Sequence, residues 1–401
     1  MLVNFQWKEN NEAEFLINGN QYFRSVFDCI RAARREILLE TFIIFNDEVG
    51  KKLKEALLEA AARQVQIDIT VDGYGTADLD SEFISELTDA GIRMHVYDPK
   101  PRLFGMRTNL FRRLHRKIVV VDGEVAYISG INFGADHLPD RYAMGKQDYG
   151  VRVRGPIVKD IRDAAGALLV EHQALKKLPE LQGSSSAAGK AAMLMAIRDN
   201  NHHRNDIEAH YIRAIRSATS RLVIANAYFF PSYRLCHELR NAARRGVNVT
   251  LILQGRPDMP WARMFSSSLY SYMLQDGVKI YEYTERPLHG KIAIIDHDWS
   301  TVGSSNLDPL SLSLNLEANL FVRDAELNRQ IHTHLEQLID QSCKLITTEA
   351  AKKGRWWRTP LMIVSFHFLR HFPKRMGWLP VHAARLKTLS ATTHSNKRAL
   401  D

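Results

Sequence analysis

The sequence predicts an α/β protein built from two similar halves related by a pseudo-twofold axis. In each half, apolar β-branched runs alternate with amphipathic helical stretches, which is typical of a mixed, largely parallel sheet flanked by helices. Three segments of the first half also return in order in the second: 33–45 as 220–230, 63–73 as 245–255, and 89–98 as 275–284. Two domains of the same fold account for both observations.

The elements follow the same order in both halves. Each half reads strand, helix, strand, helix, strand and then a β-hairpin. The stretch GSSSAAGK marks a linker at 178–190, which predicts domains at 1–177 and 191–348 and a tail at 349–401. The segment HRNDIEAHYIRAI after the linker is predicted to be the helix that opens the second half.

The hairpin of each half carries the pattern His-x-Lys-x-x-x-x-Asp. The first copy is His115, Lys117 and Asp122, with Asn132 following its His by 17 residues. The second copy is His289, Lys291 and Asp296, with Asn306 at the same distance. Two imidazoles, two ammonium groups and two amides suit a phosphodiester, because one His can attack phosphorus while the other protonates the departing oxygen. The alternative is two hairpins that hold His and Lys by chance.

The local geometry of the motif follows from strand periodicity. Each His precedes a β-branched apolar run that predicts a buried strand, and residues two apart share a strand face. Each Lys should therefore point the same way as its His. Asp122 and Asp296 come seven residues after the His, an odd step, and Asp122-Gly123 is a strong turn signal. We expect these two motif carboxylates to stabilise the hairpin and not to touch substrate.

An extra basic loop precedes the first motif. Between Tyr97 and His115 the first half carries DPKPRLFGMRTNLFRR, which the second half lacks. Five bases with apolar residues between them predict a lid for a lipid headgroup, and a solvated surface loop is the alternative.

Composition excludes several classes. The 401 residues suit two domains, and the three scattered cysteines indicate a reducing compartment without disulfides. We find no glycine-rich nucleotide loop and no metal-ligand pattern, so no cofactor and no metal are expected. The N-terminus is mixed and charged, unlike a signal peptide, and no apolar stretch reaches 18 residues.

The excess positive charge lies in the tail. Residues 351–401 hold 11 of the 54 Lys and Arg but only one of the 45 Asp and Glu, which leaves 43 bases and 44 acids elsewhere. Trp356 and Trp357 stand between Arg355 and Arg358, ahead of the apolar run LMIVSFHFL. Trp, basic residues and a short apolar run predict binding to an anionic membrane surface. The alternatives are a helix packed on the domains with a disordered basic end, or a nucleic-acid-binding tail.

Several segments together resemble the bacterial cardiolipin synthases of the phospholipase D superfamily. They are ETFIIF, HRKIVVVDG, KQDYGVRVRGP, IANAYFFP, LHGKIAIID and GSSNLDPLSLSLNLEANL. The RWW…FHFLRHFP…GWLP tail resembles the subtype that lacks an N-terminal membrane-spanning pair. The resemblance covers nearly the whole chain and implies two phospholipase D-type domains that meet at one site.

The resemblance also implies residue roles. The first-motif His115 would be the nucleophile and form a phosphohistidine, and His289 would protonate the leaving alcohol and deprotonate the incoming one. The lysines and asparagines of both motifs would hold the phosphoryl oxygens. An acid downstream of each Asn would orient a catalytic His, which indicates Asp148 and Glu317. Ser304 ranks as a phosphate contact above Ser129, because Gly and Ser are reversed in the first copy.

The implied reaction is phosphatidyl transfer from one phosphatidylglycerol to another, giving cardiolipin and glycerol. The implied partners are phospholipid substrates and an anionic membrane, without nucleic acid. The implied location is the cytoplasmic side of the bacterial inner membrane, as a peripheral protein. The alternatives are a nuclease of the same superfamily, a phospholipid hydrolase and a non-catalytic membrane scaffold.

Overall fold

The structure is a computed structural model, and it describes residues 6–76, 79–99, 102–103, 106–107, 112–139, 145–172, 174–175, 186–256, 266–267, 269–352 and 385–389. The strands of the first half are β1 (Lys8–Ile17), β2 (Glu36–Thr41), β3 (Gln66–Asp72), β4 (Arg93–Tyr97), β5 (Arg102–Leu103), β6 (Met106–Arg107), β7 (Ile118–Val121), β8 (Val125–Ser129) and β9 (Tyr149–Arg154). Those that follow are β10 (Ala191–Arg198), β11 (Arg221–Asn226), β12 (Asn248–Gln254), β13 (Lys279–Tyr283), β14 (Lys291–Ile295), β15 (Trp299–Gly303), β16 (Glu317–Arg323), β17 (Cys343–Leu345) and β18 (Leu386–Leu389).

Helices flank these strands in both halves. They are α1 (Asn18–Ala32), α2 (Glu48–Ala62), α3 (Ser81–Asp89), α4 (Ile157–Glu171), α5 (Asp206–Ser217), α6 (Tyr233–Arg244), α7 (Tyr270–Leu274), α8 (Pro309–Ser313), α9 (Ala325–Ser342) and α10 (Thr348–Lys352), with a short 3-10 helix at Ala135–His137. Side-chain caps fix several starts; the Asp47 carboxylate, for example, accepts the backbone N–H of Val49 and Gly50 at the start of α2. The predicted helix after the linker is confirmed as α5.

The sheet repeats its strand order about its centre. The order is β17-β13-β12-β11-β14-β15-β16-β10-β1-β9-β8-β7-β2-β3-β4-β18. The predicted α/β class with two similar halves is confirmed. Among the described strands of this sheet, β2-β3-β4 and β11-β12-β13 pair parallel, and the hairpin strands and the central strands pair antiparallel. The mixed sheet therefore has a parallel core in each half and an antiparallel middle.

Strands β1 and β10 join the two halves into one sheet. Strand β1 pairs with β9 along 12–17 and with β10 at Lys8 and Asn11. The repeats in the sequence did not predict β10, which precedes α5 as β1 precedes α1. A shared apolar core lies behind the junction and includes Ile161 of α4 and Ile331 of α9. The division at 178–190 stays a prediction, because most of that linker lies outside the described residues.

The structure describes only parts of the two basic segments, the 98–113 loop and the 349–401 tail. Most of the 98–113 loop lies outside the described residues, but Arg113 is buried and lies 3.1 Å from Asp72 and 3.2 Å from Asp98. Arg113 therefore belongs to a buried ion-pair network and not to a solvent-facing lid. Most of the 349–401 tail also lies outside the described residues, and its strand β18 pairs with β4 at the edge of the sheet. Among the described helices, none is long and apolar enough to cross a bilayer.

Candidate active site

Each motif histidine lies two or three residues before the first strand of its hairpin, against the opposite half. The backbone N–H of His115 donates to the Leu316 carbonyl at 2.9 Å, and that of His289 donates to the Gln147 carbonyl at 2.7 Å. Leu316 immediately precedes β16 of the second half, and Gln147 lies two residues before β9 of the first. These two symmetric contacts bring each motif to the strand start that carries the other half's acid.

The carboxylates are consequently exchanged between the halves. His115 Nδ1 lies 3.0 Å from Glu317 Oε2, and His289 Nδ1 lies 2.7 Å from Asp148 Oδ2. Both carboxyl groups are fully buried, whereas the imidazoles keep about a tenth of their surface exposed, 12% and 10%. A carboxylate at Nδ1 fixes the ring orientation and presents Nε2 to a substrate. The crossed pairing is the feature that the sequence did not predict.

Asp148 is held from several sides. Its backbone N–H donates to Asn18 Oδ1 at 3.0 Å, and the Asn18 N–H donates to the Asp148 carbonyl at 2.9 Å. Asn18 has a φ of 60°, in the left-handed region, a conformation that Asn tolerates better than most residues. The N–H of Tyr149 donates to Asp148 Oδ1 at 2.8 Å. The β1–α1 junction thereby fixes the acid that faces His289.

Glu317 is held by the residue that the sequence ranked as a phosphate contact. The Ser304 hydroxyl donates to Glu317 Oε2 and accepts the Ala318 N–H at 3.0 Å. The structure thus gives Ser304 a carboxylate partner behind His115. Ser129, in the first copy, instead has its hydroxyl within the turn, where it accepts the Ile131 N–H at 3.2 Å.

The two motif lysines fold back on their own histidines. Lys117 Nζ donates to the His115 carbonyl at 2.8 Å and lies 5.4 Å from the centre of the Phe42 ring. Lys291 Nζ donates to the His289 carbonyl and lies 3.1 Å from His289 Nδ1. Both lysines are buried, and burial, with the charge of Lys291, lowers the pKa of Lys117 to about 7. A phosphate anion would restore the full charge on this ammonium group.

The asparagines lie in the turns that follow the two hairpins. Asn132 and Asn306 are both buried, and their side-chain Oδ1 atoms have no hydrogen-bond partner among the described residues.

The motif aspartates lie at the other end of the hairpins. Asp122 Oδ1 accepts the N–H of Arg35 at 2.7 Å and of Glu36 at 3.0 Å. Asp296 makes the equivalent bonds; its Oδ1 accepts the Ser220 N–H at 2.8 Å. Both motif carboxylates therefore accept hydrogen bonds from backbone N–H groups.

Burial sets the protonation of the site. Burial lowers the pKa of His115, although Glu317 opposes the shift, and lowers that of His289 further, together with Lys291. Burial also raises the pKa of Asp148 to about 7, against the nearby Lys291. The pKa of Glu317 stays below its usual value because His115, Lys117 and the Ser304 hydroxyl outweigh burial. The two His–carboxylate pairs are therefore chemically different.

A third histidine lies in the site and was missed by the sequence analysis. His137 is fully buried, and its ring centre lies 5.4 Å from that of His289. His137, Asp148 and His289 each offer a ligand atom, all within 4.8 Å of one another, so these residue types could hold a metal ion. His137 has no counterpart in the second motif, and the Ser129-Gly130 inversion is the one signal that could have drawn attention to it.

The fold, the paired His–Lys motifs and the crossed carboxylates define an enzyme of the phospholipase D superfamily. The family described as "Cardiolipin synthase, PLD-like domain" matches residues 26–155 and 211–339, and the chain belongs to this family. It is 49% identical to "Cardiolipin synthase B" of Escherichia coli (strain K12) and of Salmonella typhi, over 95% of this chain and 93% of each relative. It is 30% identical to "Cardiolipin synthase A" of Pseudomonas putida (strain W619), over 86% of this chain and 72% of that protein.

Solved structures agree on the fold. A phosphatidylserine synthase from Haemophilus influenzae Rd KW20 superposes with a TM-score of 0.65 at 15% identity, covering 93% of this chain and 96% of that one. A polyphosphate kinase from Porphyromonas gingivalis reaches 0.53 at 16% identity, over 82% of this chain and 50% of that chain. At such identities the likeness concerns the fold alone.

Proposed function

We propose that the protein transfers a phosphatidyl group from one phosphatidylglycerol to the free glycerol hydroxyl of another, yielding cardiolipin and glycerol. The observation that carries this proposal is the pair of crossed contacts, His115 with Glu317 and His289 with Asp148, which orient two imidazoles at the boundary of the halves. The lipid substrate is inferred from relatives at 49% identity that are named cardiolipin synthases.

In the first step, His115 Nε2 attacks the phosphorus of the donor lipid. The new P–N bond forms as the P–O bond to the glycerol headgroup breaks, and His289 gives its Nε2 proton to the departing alkoxide. Burial disfavours the protonated form of His289, but a bound phosphate anion near it favours that form. Lys117, Lys291 and the two asparagine amides would stabilise the negative charge on the phosphoryl oxygens.

In the second step, the acceptor's glycerol hydroxyl attacks the phosphohistidine. His289, now neutral, takes the hydroxyl proton as the P–N bond breaks and His115 leaves as a neutral imidazole. The reaction returns the enzyme to its starting protonation state. Glu317, whose pKa is below its usual value, would stabilise positive charge on His115 while the phosphohistidine exists.

The product assay separates this proposal from its rivals. Purified full-length protein is mixed with vesicles of phosphatidylglycerol labelled in the acyl chains and in the headgroup. We expect labelled cardiolipin and free glycerol in equal amounts. Phosphatidic acid as the main product would mean hydrolysis, and cleavage of DNA with no lipid product would mean a nuclease. Either result would replace the proposed transfer.

We also propose that the protein is a peripheral protein of the bacterial inner membrane, on its cytoplasmic side. The basis is the excess of bases over acids within 351–401, together with the tryptophans and the apolar run of the same segment. Cationic side chains near an anionic leaflet contribute about 1 kcal/mol each, and indole rings favour the headgroup region. Membrane binding would keep acceptor lipids concentrated at the site and so favour transfer over hydrolysis.

A double substitution tests the membrane contact. Trp356→Ala with Trp357→Ala should weaken binding to phosphatidylglycerol vesicles about ten-fold, because two interfacial indoles are removed. Sedimentation with vesicles at two salt concentrations measures the loss and its electrostatic share. Trp7→Ala is the matched control, since the Trp7 ring packs within the fold, with its centre 4.7 Å from the guanidinium carbon of Arg323. Equal binding by all three proteins would assign the membrane contact to another surface.

A further inference from the structure

The first half of the sheet ends in a strand that belongs to the C-terminal tail. Strand β18 pairs antiparallel with β4, with Leu386 opposite Tyr97, at one edge of the sheet. At the other edge, β17 pairs antiparallel with β13, with Cys343 opposite Tyr283. Strand β17 directly follows helix α9 in the chain. The second half therefore supplies its own edge strand, whereas the edge strand of the first half comes from the far end of the chain.

The backbone contacts of the two edge strands are equivalent. The N–H of Asp98, the residue after β4, donates to the Arg385 carbonyl at 2.6 Å. The N–H of Thr284, the residue after β13, donates to the Ser342 carbonyl at 3.0 Å. The matching register and hydrogen bonds mean that β18 occupies in the first half the position that β17 occupies in the second.

Leu386 packs against the residues that immediately precede His115 and Glu317 in the chain. The cluster that it contacts consists of Tyr97, Leu114, Leu168 and Leu316, all at most 5% exposed. Leu114 and Leu316 form the backbone bridge between the halves, and the His115 N–H donates to the Leu316 carbonyl at 2.9 Å. The tail strand thus covers the cluster that sets the backbone positions of the His115–Glu317 pair.

A buried ion-pair network forms a second connection between β18 and His115. The Asp98 carboxylate, whose own N–H binds the tail strand, lies 3.2 Å from the Arg113 guanidinium. Arg113 also lies 3.1 Å from Asp72 Oδ1. The other oxygen of Asp72 accepts the N–H of Leu114 at 2.8 Å. Each link of this network is a direct contact, and the last one holds the residue next to His115.

Residue identities exclude the same network from the second half. The sheet registers place Gln254 where the first half has Asp72, since each lies opposite the tyrosine that ends the next strand. Two residues before the motif histidine, the second half has Pro287 where the first has Arg113. Neither replacement carries a charge. The ion-pair connection to an edge strand is therefore specific to the motif that contains His115.

We propose that β18 positions the catalytic His115, with Leu386 as a positioning residue, so that the C-terminal tail supports the active site as well as the proposed membrane contact. The proposal rests on the proposed function, because it takes His115 as the nucleophile. Displacement of a reacting group by about 1 Å can cost about 100-fold in rate. Loss of β18 would remove the Leu386 contact and the partner of the Asp98 N–H, and should lower kcat more than it changes KM.

The experiment substitutes Leu386 in the full-length protein. Rates are measured with a short-chain phosphatidylglycerol at concentrations where it is monomeric, which separates catalysis from binding to a bilayer. Leu386→Glu places a charge against the apolar cluster, so we expect about a 100-fold loss of kcat with little change in KM. Leu386→Met fills the same space without a charge and should retain wild-type kcat.

Leu345→Glu is the matched control. It makes the same substitution in the other edge strand, β17, at a side chain that is 50% exposed, and it should leave kcat unchanged. Leu386→Ala is the milder variant for the case in which the Glu variant does not fold, and about a five-fold loss of kcat is expected from it.

An imidazole NMR spectrum distinguishes positioning from general destabilisation. Leu386→Glu and Leu386→Ala should change the signals of His115 and leave those of His289 unchanged. Wild-type kcat and unchanged His115 signals in these variants would overturn the proposal, as would an equal loss of kcat in Leu345→Glu. The spectrum does not depend on turnover, so absence of cardiolipin from the wild type would count against the proposed function alone.

Discussion

Replacing His289 with Asn is expected to lower kcat for cardiolipin formation by about four orders of magnitude, and His115→Asn by at least as much. Without His289 the departing glycerol oxygen has no proton donor, and without His115 no covalent intermediate can form. Rates are measured with phosphatidylglycerol vesicles at saturating lipid. His297→Asn, in the turn between β14 and β15, is the matched control and should retain wild-type turnover.

The same pair of variants identifies the nucleophile. A donor lipid whose leaving group needs no proton can still phosphorylate the His289→Asn protein, and the adduct should then persist. Mass spectrometry of that protein should find the phosphatidyl group on the peptide that holds His115. An adduct on His289 in the His115→Asn protein would exchange the two roles. Full turnover by either variant would refute the two-histidine mechanism.

Substitution of the crossed carboxylates should have the next largest effect. Glu317→Gln and Asp148→Asn should each reduce kcat by about three orders of magnitude, because the wrong tautomer of the paired imidazole would be favoured and positive charge on it would lose its partner. Each substitution acts on the histidine of the opposite half. In an imidazole NMR spectrum, Glu317→Gln should therefore change the signals of His115, and Asp148→Asn those of His289.

Asp296→Asn separates this effect from the loss of a hydrogen-bonded acid in general, because the Asp296 side chain is half-buried and lies at the far end of its hairpin. The Asp296 carboxylate accepts the backbone N–H groups of Thr219 and Ser220 at the start of β11. Its replacement should lower the free energy of unfolding by about 1–3 kcal/mol while kcat stays near the wild-type value. Comparable losses of kcat in the Asp296, Asp148 and Glu317 variants would contradict a special role for the crossed pairs.

Local patterns in the sequence were sufficient for much of the fold. The β-branched runs after each motif His predicted β7 and β14, and Asp122-Gly123 predicted the tight turn where both residues have positive φ, 56° and 66°. Spacing alone could not predict which acid faces which histidine. That pairing depends on the contact of Leu114 with Leu316 and of Gln147 with Leu288, segments far apart in the chain.

Other features depend on long-range packing in the same way. Strand β18 pairs with β4 across almost three hundred residues, with Thr388 opposite His95, and no local pattern in a basic tail predicts this partner. His137 lies in a short 3-10 helix whose counterpart in the second half, α8, carries Ser311 at the equivalent position, so comparison of the two motifs passes over the histidine. In both cases tertiary contacts, and not local sequence preference, determine where the segment lies.

A crystal structure with orthovanadate, a mimic of the five-coordinate phosphorus, tests the central claim most directly. We expect one vanadium centre between the halves, bonded to Nε2 of His115 and with Nε2 of His289 on the opposite side, about 3 Å from the apical oxygen. Glu317 and Asp148 should keep their contacts with the two rings. Vanadate bound to only one histidine, with the other ring too far away to reach the leaving oxygen, would contradict the account.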